Sequence, residues 1–102
     1  METLSCAVEY AEGATVLHVV GEIDLATADE LWRTAKLARV TGSGVVLDMA
    51  GVTFLDGSGL RAIDRLRLDG RTKGYGVLVR NPSDFARQVL ILSGFVELLA
   101  DR

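Results

Sequence analysis

The run Asp56-Gly57-Ser58-Gly59 sets a carboxylate two residues ahead of a hydroxyl, where an apolar stretch beginning at Val45 gives way to a helical pattern. A helix N-terminus presents unpaired backbone N–H groups and a partial positive charge. A hydroxyl placed there is exposed, partly stabilised as an anion, and well situated to carry or greet a phosphate. Ser58 therefore has two readings. It is the seat of a charge switch, or it caps the helix by accepting a backbone N–H while Gly57 and Gly59 permit a tight turn. Asp56 also has two: its carboxylate orients the neighbouring hydroxyl or contacts a partner, or it caps the helix and braces the loop.

Enzyme chemistry fits these residues poorly. A nucleophile elbow, Gly-x-Ser-x-Gly, needs glycines where Asp56 and Leu60 stand. A Ser-His-Asp triad has to recruit His18 from an early strand, where the ring reads as packed, and no Walker A run supplies a phosphate cradle. Asp24, Asp48 and Asp56 form no compact ligand loop, and with one His and one Cys the chain offers no metal set. No catalytic residue, metal or cofactor is expected. Between Arg61 and Lys73, five basic residues stand against two acidic ones in a chain of net charge -3. Arg61 and Arg65 fall on one helix face just after the loop, where they meet an acidic partner or form a solvated face with an Arg61/Asp64 or Asp64/Arg67 pair.

The elements that position this loop follow from hydrophobic periodicity. Cys6, Val8 and Tyr10 alternate with polar residues, Glu12-Gly13 turns the chain, and Val16 to Val20 returns as the second arm of a hairpin that Gly21 stops. Thr27 and Glu30 make a capping box ahead of Ala28, Leu31, Trp32, Ala35 and Ala38 at helical spacing. The Thr41-Gly42-Ser43-Gly44 cluster ends that helix, and Val45 to Met49 is apolar enough for a central strand. A helix over 58–69 with Leu60, Ile63 and Leu66 inward leads to a strand over 75–79, completing a βαβ unit. Asn81-Pro82-Ser83 opens a last helix with Phe85, Val89 and Leu92 on one face, Gly94 ends it, and 95–99 adds a short final strand. Trp32 and Phe54 read as core anchors.

Composition agrees with one ordinary globular domain: 102 residues, 49% hydrophobic and 25% charged, with the lone Cys6 a small core hydrophobe in a reducing compartment. Neither a membrane span nor a signal-peptide pattern is visible, so a cytoplasmic protein without membrane insertion is expected. The negative charge argues against direct nucleic-acid binding.

Gly21-Glu22-Ile23-Asp24-Leu25-Ala26-Thr27-Ala28, Phe54-Leu55-Asp56-Gly57-Ser58-Gly59-Leu60 and Ser93-Gly94-Phe95 stand in the order and separation of a known family. With them the chain resembles the STAS domains, specifically the stand-alone anti-sigma-factor antagonists of partner-switching systems. The resemblance implies a single α/β STAS domain over 1–102, a mixed β-sheet packed by α-helices in the approximate order β-β-α-β-α-β-α-β. It also implies a partner, an anti-sigma factor with a kinase-like ATPase domain, whose capture releases a sigma factor. In such antagonists the partner phosphorylates a Ser or Thr directly after the loop Asp, and the modified form lets go.

Here that position is Gly57, which removes the usual acceptor and leaves Ser58 as the only hydroxyl of the four-residue loop. A shift of one residue changes the direction of the hydroxyl, and phosphoryl transfer depends on in-line positioning. The expected partner surface comprises Asp24, Asp56, Gly57, Ser58, Gly59 and Arg61, with Ser58 the candidate phosphorylation site. Glu22 and Asp24 form an acidic rim or a solvated loop. Some STAS domains bind nucleotides, but no glycine-rich phosphate loop here supports that. The alternative within the same fold is an accessory subunit of an ABC lipid transporter, which needs no phosphorylatable residue; the Gly21–Ala28 segment looks closer to the antagonists.

Overall fold

The computed structural model describes residues 4–100. Four strands, β1 (Leu4–Ala11), β2 (Ala14–Ile23), β3 (Gly44–Leu55) and β4 (Val77–Arg80), form one sheet in the order β1-β2-β3-β4. β1 and β2 are the expected antiparallel hairpin, closing at Ala11↔Ala14 around Gly13 at φ +75°. β2, β3 and β4 then run parallel, so the connections carry helices α1 (Ala28–Ala38) and α2 (Gly57–Lys73); α3 (Asp84–Leu92) follows β4. This is the mixed α/β fold that the sequence implies.

The register explains where the core lies. Leu17, Leu47 and Val79 are paired across three strands and wholly buried. They join one cluster with Leu31 and Ala35 of α1, Ile63 and Leu66 of α2, and Ala86 and Leu90 of α3. The next row, His18, Asp48 and Arg80, points to the opposite face, as strand alternation requires. Cys6 packs half-buried against the core, where burial and then the Glu30 charge push its thiol up to about 11.

Several local expectations are corrected. Gly21 does not stop β2: at φ +111° it sits between two register shifts that let the strand continue to Ile23. The capping box does not form, because the Thr27 hydroxyl turns back to donate to the Glu22 carbonyl at 2.8 Å and accept from Asp24 N–H at 2.9 Å. α2 runs past Gly70 to Gly74, whose φ of +83° ends it. Gly70 is bare because the Tyr75 carbonyl lies where a side chain would begin. β4 accordingly starts at Val77 instead of residue 75.

In α3 Ala86 and Leu90 are buried and Val89 packs half-buried against the core as expected, while Phe85 and Leu92 are exposed. Ser83 sets that phase: its N–H donates to the Met49 carbonyl at 3.0 Å, its hydroxyl to the Val52 carbonyl at 2.6 Å, and its Oγ caps Ala86 N–H at 3.1 Å. The expected last strand is a 3-10 helix (Val96–Leu98) followed by a single bridge, Val79↔Leu99. Phe95 N–H closing on the Leu90 carbonyl at 2.8 Å curls the segment before it can extend.

Candidate functional site

β2 and β3 finish side by side: Ile23 is in register with Leu55, and Asp56 N–H donates to the Ile23 carbonyl at 3.3 Å. The loop after β2 and the junction after β3 therefore leave the same end of the sheet. At that junction Asp56 is extended (φ -117°, ψ -169°) and is the N-cap of α2. Its Oδ1 accepts from Ser58 N–H at 2.9 Å and Gly59 N–H at 3.2 Å. The carboxylate, not the hydroxyl, therefore fills the capping role. The Ser58 Oγ instead accepts from Arg61 Nη2 at 3.2 Å.

The two glycines of the loop divide by burial. Gly57 is exposed, and a side chain begun there would meet only Arg61 Nη1, at 3.5 Å. Gly59 is buried, and a Cβ there would lie 2.5 Å from Leu55 Cδ1 and 2.8 Å from the Ile23 carbonyl oxygen. Its bareness lets α2 start in close contact with both strand ends. Asp24 folds onto its own turn: its Oδ1 accepts from Ala26 N–H at 3.0 Å and its carbonyl from Thr27 and Ala28 N–H at 3.1 and 2.8 Å. Asp24, Asp56, Gly57, Ser58, Gly59 and Arg61 are thus gathered at one end of the sheet, with Gly59 beneath the surface.

Ser58 and Arg61 open onto a groove of about 270 Å³ between α1 and α2, whose walls include Leu25, Asp29, Trp32 and Arg65. Leu25 is 83% exposed on the rim. The Arg65 guanidinium stacks on Trp32, 3.9 Å from the ring centroid. Of the two charge pairs envisaged on α2, Asp64–Arg67 forms at 2.6 Å and Arg67 also reaches Glu97 at 3.0 Å. Farther along, Asp69 ties the two helices together by accepting from Lys36 and Tyr75, with Lys73 3.3 Å away. The Lys36 and Tyr75 hydrogen bonds hold the Asp69 carboxyl down at about 2, while burial and Asp69 push the Tyr75 phenol up to about 12.

Sequence reasoning missed Leu25 and misplaced Phe54. Phe54 is 40% exposed and lies against Phe85, ring centroids 5.9 Å apart, just ahead of the loop. A lone leucine inside an acidic turn, with no helical or strand partner in the pattern, was the available signal for Leu25. His18 is not at this site: its Nε2 meets Glu9 Oε1 at 2.7 Å and its Nδ1 lies 3.8 Å from Asp48, on the sheet face opposite the Leu17, Leu47 and Val79 row. Burial alone would raise the Asp48 carboxyl, but Ala50 N–H, Arg80 and Asn81 all bond to it and hold it below its ordinary range. Among the described residues, no three His, Cys, Asp or Glu side chains are grouped as a metal set.

The family model of the STAS domain matches residues 5–100. The chain belongs to the STAS domain family. This STAS domain is similar to the crystal structure of an anti-sigma factor antagonist from Mycobacterium paratuberculosis, with 27% identity and a TM-score of 0.77 over 96% of this chain and 84% of that one. It also superposes on the anti-sigma factor antagonist SpoIIAA in its unphosphorylated form, at 18% identity and a TM-score of 0.78 over 93% of this chain and 85% of that one. A sulfate transporter family protein from Wolinella succinogenes follows, at 22% identity and a TM-score of 0.74 over 91% and 76%. The last two likenesses are of fold alone. No curated protein sequence matches this one, and no helix among the described residues is long and apolar enough to cross a membrane.

Proposed function

We propose that this STAS domain is a cytoplasmic, non-catalytic anti-sigma-factor antagonist that binds a kinase-like anti-sigma factor through the Asp56–Gly59 loop and thereby releases a sigma factor. The observation that carries the reading is the division of labour at the start of α2. Asp56 caps the helix, so the Ser58 hydroxyl is left for recognition beside Arg61, Asp24 and the exposed Leu25. The 27% identical antagonist from Mycobacterium paratuberculosis supports the same assignment.

Gly57 stands where the family's usual phosphate acceptor would be, so the default state of this protein is the binding state. Where control is exerted, Ser58 is the acceptor. A phosphate there carries about -1.5 to -2 charges, tolerated locally by the α2 N-terminus and Arg61 but repelling an acidic partner.

The test is affinity capture of the tagged protein from its own cells, with mass spectrometry of partners and bait. A kinase-like anti-sigma factor among the partners supports the proposal, and phosphate on Ser58 identifies the displaced switch. Recovery of a transporter ATPase subunit in its place overturns it. With the captured partner in hand, Ser58→Glu is expected to weaken binding at least tenfold; an unchanged dissociation constant refutes charge control at this loop.

A further inference from the structure

We propose that the α1/α2 groove is a clamp for an acidic, leucine-type segment of the partner, with Arg61 and Arg65 as its anion-binding residues and Trp32 and Leu25 as its apolar wall. The inference rests on the antagonist reading for the identity of the partner and adds the chemistry that the partner must present.

Charge complementarity is the argument. Among the described residues, neither Arg61 nor Arg65 pairs with a carboxylate, whereas Arg33, Lys36, Arg67, Lys73 and Arg80 each do. Both are exposed and line the groove. They are one helical turn apart, about 6 Å along the axis. Carboxylates spaced by one helical turn, or by two residues of a strand, span the same distance.

The Arg65 guanidinium carbon sits 3.9 Å from the Trp32 ring centroid, so one side of the group is covered by the ring and its N–H donors remain available for a bidentate carboxylate. Arg61 gives one donor to the neutral Ser58 hydroxyl, which leaves its charge uncompensated. Leu25, 83% exposed on the same rim, adds apolar area that only an apolar side chain would cover.

Asp29 also lines the groove, but its carboxylate lies 3.0 Å from Arg33 on the same exposed helix turn, so Arg61 and Arg65 are the unpaired charges among the lining residues.

Trp32 is the only tryptophan of the chain, so its emission reports on the groove directly. The probe is a blocked, tryptophan-free peptide of three Leu-Glu-Ser-Glu repeats, titrated into the full chain. A saturable change is expected that weakens at least tenfold on raising salt from about 50 to about 500 mM. Arg61→Glu and Arg65→Glu should each weaken it at least tenfold, Arg65→Lys should weaken it less, and Arg71→Glu, elsewhere on α2, should match the parent. No response at millimolar peptide, an equal response to the Leu-Lys-Ser-Lys counterpart, or saturation by ATP in its place overturns the clamp.

The titration needs no anti-sigma factor, so its failure leaves the capture result standing. Capture of a transporter ATPase would remove the antagonist reading without touching the peptide data. If the captured anti-sigma factor binds Arg65→Glu as tightly as the parent, the clamp is refuted while the antagonist assignment holds.

Discussion

Replacing Gly59 with alanine should destabilise the protein, while the same replacement at Gly57 should not. A Cβ on Gly59 would stand 2.5 Å from Leu55 Cδ1, 2.8 Å from the Ile23 carbonyl oxygen and 2.9 Å from Ile23 Cγ2. Carbon pairs prefer about 3.5 to 4.0 Å, so the overlap with Leu55 is about 1 Å or more. Leu55 and Ile23 are 3% and 0% exposed, and the Ile23 carbonyl is held by Asp56 N–H, so the strain falls on the start of α2.

Overpacking of this kind costs about 1 to 3 kcal/mol, against a helix-propensity gain of at most about 1 kcal/mol. The net loss of about 1 to 2 kcal/mol lowers Tm by about 4 to 16 °C in a domain of this size. At Gly57 the new Cβ meets only the mobile tip of Arg61 at 3.5 Å, so Gly57→Ala should leave Tm unchanged or slightly raised. Thermal and urea unfolding of both variants measure the contrast. A Gly59→Ala protein as stable as the parent, or a Gly57→Ala protein that loses as much, would refute the packing argument.

Asp56→Ala should cost about 1 kcal/mol in urea unfolding by orphaning two helix N–H groups, whereas Asp56→Asn should retain most of it; equal losses would show that capping is not the cause. The Asp69 carboxyl titrates at about 2 in the folded protein and near 3.9 when unfolded. Its contribution is complete above about pH 4 and disappears as pH falls toward 2. Asp69→Asn should therefore flatten the stability profile between about pH 4 and 2, and an unaltered slope there would count against the Lys36–Asp69–Tyr75 link. Cys6, held at about 11, should react slowly with a disulfide reagent at pH 8 in the native protein and rapidly in urea; fast native labelling would place the thiol outside the core.

The hairpin, the central strand and the position of the loop were legible because alternation, an apolar run and glycine punctuation all agree there. The choice between Asp56 and Ser58 as cap was not. Both side chains are good caps, and only the extended backbone of Asp56 aims its oxygen at the N–H groups of Ser58 and Gly59. The inward face of α3 was misread because Phe85 and Leu92 outweigh Ala86 in any hydrophobicity count. The three hydrogen bonds of Ser83 fix the helix phase through partners more than thirty residues away in β3, or through the cap itself. Thr27 and Glu30 have capping-box spacing, yet the turn built on Asp24 claims the Thr27 hydroxyl first. Backbone conformation decided the first case, partners in β3 the second and the neighbouring turn the third.

The open space above Gly57 bears on how such a protein can change over generations. A hydroxyl could be gained or lost at this position without disturbing the cap on Asp56 or the tight seat of Gly59, since nothing but the end of Arg61 lies nearby. Selection for a foldable chain is therefore blind to the identity of this residue. On the antagonist function proposed above, whether a lineage keeps the protein permanently on or places it under a kinase can drift and revert by single substitutions, independently of the scaffold.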